Sequence, residues 1–266
     1  MTTKQADNWG WKARFGMFIV STEAVPEAEW WAMAPAGVSI HAARISAGTP
    51  WAAWRDDHQS VVIEGDLKRG IQQFASMRLS AVVIGHSSSS ILGGSGWDAA
   101  VVDQLSSFMP DETLVTTNGL DCQAALRASD VSKPFLVFPA WFGDQALQPG
   151  VEYFSEHGFN PTGYMRFDPG PGWRDLPPSE LYPQGMGFEQ DVEALYRQIC
   201  TSCPSDADGV LIAGTGFRCV GIIDALEQDL GRPVITANQA SLWRCLQHAG
   251  IGTFTAGYGS LPGISR

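Results

Sequence analysis

Two short runs hold most of the residues able to do chemistry. Gly85-His86-Ser87-Ser88-Ser89-Ser90 follows an apolar run, Ala81–Ile84. Gly214-Thr215-Gly216 follows another, Val210–Ala213. Hydroxyls and unhindered backbone N–H groups at the end of a buried strand can hold an oxyanion or an enediolate. The second run is expected to pass into a helix whose N-terminus faces the ligand. His86, beside the serines, is placed to act as a base or to hold its neighbours in a pocket wall. The run Gly85–Ser89 also approaches the G-x-S-x-G elbow of hydrolases, with Ser89 in place of the last glycine. On that reading Ser87 or Ser88 attacks an ester or amide, and a histidine, His86 or the late His248, is the base. A plain serine-rich capping loop is the alternative without chemistry.

The elements that must carry these runs alternate between strand and helix. Phe15–Thr22 and Lys133–Trp141 read as strands half a chain apart. So do the runs leading into Gly85 and Gly214, each short and rich in β-branched residues. Helical spacing of apolar residues marks Asp66–Met77, Trp97–Met109, Phe188–Cys200 and Gly221–Leu230. Strands alternating with helices predict an α/β chain with mainly parallel sheets, and the repeat predicts two related halves. Asp168–Gly187 is too dense in proline and glycine for a helix or inner strand. It is expected to be an irregular excursion: a surface loop, a lid or a partner contact.

At Asp208–Trp243 the sequence resembles the maleate isomerase and arylmalonate decarboxylase branch of the aspartate/glutamate racemase superfamily. Thr215, Phe217, Arg218, Gly231, Pro233, Val234, Asn238, Gln239, Ala240 and Trp243 fit that family's pattern, as do Gly16, Ser21, Glu27 and Glu29 near the first strand. The resemblance implies two pseudo-twofold-related Rossmann-like domains with the site in the cleft between them. One domain would comprise residues 1–118 and 236–266, the other 119–235. It implies contacts to substrate from Ser21, Ser87, Ser89, Ser90, Thr117, Trp141, Gly214, Thr215, Gly216 and Asn238. It also implies a homo-oligomer, dimer being the commonest form.

This chain departs from the family where the family is most reactive. The two cysteine positions fall on Ser88 and Gly214. Serine is a far weaker nucleophile and acid than a thiol unless a base activates it, and glycine offers nothing. Glu23 stands where the family has an asparagine that donates hydrogen bonds to a substrate carboxylate. An ionised glutamate only accepts; buried in a cleft, the same group has a raised pKa and works as acid or base. Trp141 stands near a family tyrosine, replacing its O–H by an indole N–H, and serves equally as a core residue. Three readings follow. In the first, a cofactor-independent lyase or isomerase acts beside a carboxylate or carbonyl of a small organic acid, with Glu23, Ser88 and His86 as catalytic candidates. In the second, a hydrolase uses Ser87, Ser88 or a Glu23-positioned water. In the third, the chain is a non-catalytic binder of small molecules.

Composition sets the outer bounds. The 266 residues carry 17 basic and 28 acidic side chains, a net charge of −11, which argues against nucleic acid as the main partner. No apolar run approaches the roughly 20 residues of a membrane span, and the polar N-terminus predicts a cytoplasmic protein. Five dispersed histidines form no metal-ligand pattern, and no metal or other cofactor is expected. The five cysteines read as free thiols; Cys200-x-x-Cys203 lacks both a second ligand pair and a redox context.

Overall fold

The computed structural model describes residues 7–252 and 255–263. In chain order the first half contains β1 (Ala13–Val20), α1 (Val25–Met33), β2 (Val38–Ile45), the short hairpin β3 (Ala53–Trp54) and β4 (Val61–Val62), and α2 (Gly65–Ala75). Next come β5 (Ala81–Ile84), α3 (Ser87–Gly93), α4 (Trp97–Ser106) and β6 (Leu114–Thr117). The second half contains α5 (Asn118–Ala128), β7 (Pro134–Phe138), α6 (Asp144–Glu156), β8 (Gly163–Arg166), the single turns α7 (Pro178–Leu181) and α8 (Met186–Glu189), and α9 (Val192–Ser202). It closes with β9 (Gly209–Ile212), α10 (Ile223–Leu230), β10 (Val234–Thr236) and α11 (Ala237–His248).

Two parallel four-stranded sheets result, β2-β1-β5-β6 and β10-β9-β7-β8. Numbered within its own half, each sheet has the strand order 2-1-3-4. The pairs matched in the sequence, β1 with β7 and β5 with β9, are first strand with first strand and third with third. Period-two alternation builds the core. Phe15, Met17 and Ile19 of β1 and Val83 of β5 face a cluster continuous with the second sheet. Phe18, Val82 and Ile84 face a separate cluster under α2 and α4. Strands apolar on both faces are what a helix-covered parallel sheet requires.

The fourth strand of each half runs straight into a helix capped by a threonine. Thr117 Oγ1 accepts from Leu120 N–H, and Thr236 makes a reciprocal capping box with Gln239. The two helices cross between the sheets: α5 packs on β9, β10 and α11, while α11 also packs on α1, β5 and β6. Each half is thus covered partly by a helix that continues from the other's last strand.

Two expectations need correction. The helix expected over Phe188–Cys200 is broken at Gln190-Asp191, where Asp191 caps α9. The run Gly214–Gly216 does not open a helix, because α10 begins only at Ile223 after a 3₁₀ turn. Strands β2 and β8 lie at sheet edges, where half-exposed residues weaken the apolar pattern. Among the described residues no helix is long and apolar enough to cross a membrane.

Candidate active site

A strand order of 2-1-3-4 has its switch point between strands 1 and 3, and ligands of open α/β sheets bind outside the carboxyl ends of the strands there. Here the switch points of both halves converge. A cleft of about 300 Å³ is lined by Val20, Thr22 and Glu23 beyond β1, and by His86, Ser87 and Ser88 beyond β5. Trp141 and Phe142 beyond β7 and Gly214, Thr215 and Gly216 beyond β9 complete the two halves' contribution, with Thr49, Tyr182 and Pro183 joining them.

Direct bonds stitch the two halves across the cleft floor. Gly214 N–H donates to Ser87 Oγ at 3.2 Å, and Thr215 Oγ1 donates to Gly85 C=O at 2.9 Å. Ser87 Oγ donates in turn to Asn118 Oδ1 at 2.6 Å, and Asn118 Nδ2 donates to Ala237 C=O and Ser241 Oγ of α11. Gly214 adopts φ +101°, a conformation that favours glycine, and a Cβ there would lie 2.9 Å from Pro139 Cγ. The N–H groups of Thr215 and Gly216 have no acceptor among the described residues.

Four consecutive serines cannot be told apart in the sequence, but their partners separate them. Ser87 is consumed as above. Ser89 Oγ accepts from Trp51 N–H at 3.0 Å and shares a hydrogen bond with His86 Nδ1 at 2.8 Å. Ser90 Oγ donates to Asp98 Oδ1 at 2.7 Å; Thr117 Oγ1 donates to the same oxygen and Tyr153 Oη to Oδ2, so this buried carboxylate is satisfied. Ser88 alone of the four is half-buried, lines the cleft and bonds to no described residue.

The expected contacts from Ser89, Ser90, Thr117, Asn238 and Ser21 are therefore corrected in position. Ser89, Ser90 and Thr117 turn into the protein and make the bonds just given. Asn238 lies behind the loop, donating to Thr215 C=O at 2.8 Å and to Glu29 Oε2 at 2.7 Å. Ser21 lies outside the lining and is held by its backbone, N–H to Ile45 C=O. Trp141 lines the cleft and meets Tyr182 edge-on, with ring centroids 4.9 Å apart.

Glu23 is the charged type of residue in this lining that burial affects most. It is 6% exposed, and its Oε2 is buried without a hydrogen-bond partner among the described residues. Burial raises its pKa to about 8, opposed only in part by the Thr215 hydroxyl and the Arg44 charge. Both opposing groups are engaged elsewhere: Thr215 donates to Gly85, and Arg44 pairs with Glu27 and donates to the Glu23 main-chain carbonyl. Near neutral pH Glu23 is thus mostly a carboxylic acid, able to donate a hydrogen bond as well as accept one.

His86 pairs with the buried Ser89 and not with Ser87 or Ser88, the two serines that line the cleft. Its ring stacks on Trp51 with centroids 4.2 Å apart, its Nδ1 is taken by Ser89, and burial lowers its pKa to about 3. His248 contacts Glu112 C=O and is no part of the cleft. No cysteine lines the cleft; Cys219, which follows the glycine loop, is buried in the core with its thiol pushed well above the usual range by burial. Among the described residues no three acidic, histidine or cysteine side chains gather as a metal site.

Three residues of the site or its support carry no role legible in the sequence. Tyr182 and Pro183 come from the proline- and glycine-rich excursion, which returns to the cleft instead of remaining on the surface. Glu29, matched only as part of a motif, is buried beneath the site. Its Oε1 accepts from the N–H groups of Cys219 and Val220 at 2.7 and 3.0 Å.

The arylmalonate decarboxylase family model matches residues 188–262. Among solved structures, a cysteine-to-alanine variant of the maleate isomerase from Pseudomonas putida S16, crystallised with maleate, superposes with a TM-score of 0.77 at 17% identity, covering 95% of this chain and 98% of that one. Arylmalonate decarboxylase gives 0.70 at 20% identity, covering 93% and 98%. The maleate cis-trans isomerase of Nocardia farcinica bound to TRIS gives 0.73 at 16% identity, covering 94% and 97%. A search of curated proteins returns no match. Over nearly the whole chain the fold is that of the maleate isomerases and arylmalonate decarboxylases, and residues 188–262 carry the sequence pattern of the arylmalonate decarboxylase family.

Proposed function

We propose that the chain is a cofactor-independent lyase that acts beside a carboxylate of a small organic acid, with Glu23 as the proton donor. The observation that supports this is the protonated, unpartnered carboxyl of Glu23 in the cleft, with no thiol in the lining and with His86, the other titratable group there besides the Tyr182 phenol, kept neutral by burial and bonded through Nδ1 to Ser89. A single acid can return one proton to a carbanion; two-base racemisation needs a second group across the carbon. In the proposed step the bond to the leaving carboxylate breaks and carbon dioxide departs. The electron pair stays on the α-carbon and spreads into the remaining carboxylate as an enediolate. Ser88 Oγ and the N–H groups of Thr215 and Gly216 hold the oxygens on which charge accumulates. Glu23 then gives its proton to the carbon and is reprotonated from solvent. The wall of Val20, Trp141, Phe142 and Pro183 suits an apolar substituent on that carbon. The lobes of such an enzyme would divide near residues 118 and 236, where the chain passes between the sheets.

The hydrolase reading finds less support, because the candidate bases are committed elsewhere and Ser87 is bound on both sides. The test is turnover of phenylmalonate and maleate in deuterated water, followed by carbon dioxide release and by deuterium at the α-carbon. Glu23→Gln and Ser88→Ala should each lower turnover at least tenfold with the fold intact. Full activity in both variants refutes the assignment.

A further inference from the structure

Tyr182 has no assigned role, and its surroundings give it one. The residue is 8% exposed, lines the cleft, and its Oη is buried without a hydrogen-bond partner among the described residues. A buried phenol normally finds a partner, so an orphaned one on a residue that lines a cavity marks a place where a ligand atom completes the bond once the ligand is seated. Glu23 Oε2 is orphaned in the same cleft, and the two groups do not satisfy each other.

The position of the ring is built rather than incidental. A Cβ on Gly216 would lie 2.9 Å from Tyr182 Cε2 and 2.5 Å from Glu23 Oε1, so both side chains converge on this one glycine. On another side, a Cβ on Gly187 would lie 2.6 Å from Tyr182 Cε2 and 3.1 Å from its Oη. Trp141 holds the ring edge-on. Two glycines thus leave the space the ring fills, and an aromatic neighbour fixes its tilt. The burial that holds it also keeps the phenol protonated, its pKa pushed far above the usual tyrosine range, so it is a neutral donor.

We propose that Tyr182 is a substrate-binding residue whose O–H holds one oxygen of the ligand's carboxylate or carbonyl beside Glu23, and that the excursion from Asp168 to Gly187 exists to deliver it. Among the described residues no lysine or arginine lines the cleft. A carboxylate must then be held by neutral donors alone: Tyr182, Ser88, the loop amides and protonated Glu23. This inference uses the reading above only in taking the cleft as the ligand's place; it does not depend on which bond is broken.

Binding of phenylmalonate and of phenylacetate is to be measured by calorimetry on the full chain, wild type and Tyr182→Phe, with turnover followed on the same samples. The expected result is at least tenfold weaker binding of both probes by Tyr182→Phe, with a melting temperature unchanged or raised, since an unpartnered buried hydroxyl has been removed. A tyrosine that served only to support the fold would leave affinity unchanged or lower the melting temperature, and either result overturns the proposal. So does failure of the wild type to bind either probe. Tyr182-dependent binding without turnover would sink the lyase reading and leave this one standing. Turnover with undiminished affinity in Tyr182→Phe would do the reverse.

Discussion

Glu23 and Glu29 lie six residues apart, one in the turn after β1 and the other in α1, and both are buried. Burial raises both pKa values, to about 8 and about 7. Their hydrogen bonds separate them. Glu29 spends both oxygens inside the protein, on the N–H groups of Cys219 and Val220 and on Asn238 Nδ2, and so ties α1 to the loop beyond β9 and to α11. Glu23, which lines the cleft, spends its main-chain carbonyl on Arg44 and leaves a side-chain oxygen buried without a partner among the described residues. Burial and pKa direction alone would mark both as catalytic candidates. Accounting for each oxygen makes one a joint and leaves the other as the candidate proton donor.

The comparison breaks most sharply in stability. Glu29→Ala strands two buried backbone N–H groups and one face of Asn238. At about 1–3 kcal/mol for each stranded N–H, the loss should reach about 2–6 kcal/mol in urea unfolding at pH 7. If the variant unfolds at the wild-type midpoint, Glu29 is not the joint described.

Glu23→Gln should move stability the other way. A carboxyl whose folded pKa exceeds its unfolded value holds a proton in the native state that the unfolded chain has released. Stability therefore falls as pH rises from about 4.5 to about 8 and levels off above. Glutamine removes that cost. The variant should be more stable than wild type at pH 8–9, by on the order of a few kcal/mol at most, and indistinguishable near pH 4. A gain in stability at alkaline pH together with lost turnover is the signature of a group kept for chemistry. Equal melting curves at pH 9 would show that Glu23 is hydrated.

The sequence shows the scaffold more readily than the use made of it. Strands β1, β5, β7 and β9 are apolar on both faces, so their runs announce themselves; these are the strands whose ends line the cleft. Edge strand β2 breaks the run with His41 and Arg44, and β8 alternates between half-exposed and exposed residues, so neither carries a buried-strand pattern. The serine run and the Gly-Thr-Gly loop are legible as small-residue strand ends. Which serine is left for a ligand is not, because partners as distant as Trp51, Asp98, Asn118 and Gly214 decide it. Tyr182 is hidden for the same reason: its place depends on space left by Gly187 and Gly216, and Gly216 is far away in the chain. Glu29 matches a motif, yet the amides it holds lie about 190 residues on, so spacing cannot show what it binds.

The smallest expected effect is the most specific to Glu23. If its carboxyl delivers the proton, kcat/KM should be level from about pH 6 to about pH 8 and then fall about tenfold for each further pH unit, as the acid ionises and repels an anionic substrate. His86, held neutral down to about pH 3 by burial, should add no limb in that range. Residual activity of Glu23→Gln should lose the alkaline limb, whereas a folded Glu29 variant should keep it. The two carboxyls are alike in type, burial and direction of shift, so a limb that follows Glu29 and not Glu23 would exchange their roles. Retention of the limb in both variants would assign the titration to another group and take the proton donor out of this turn.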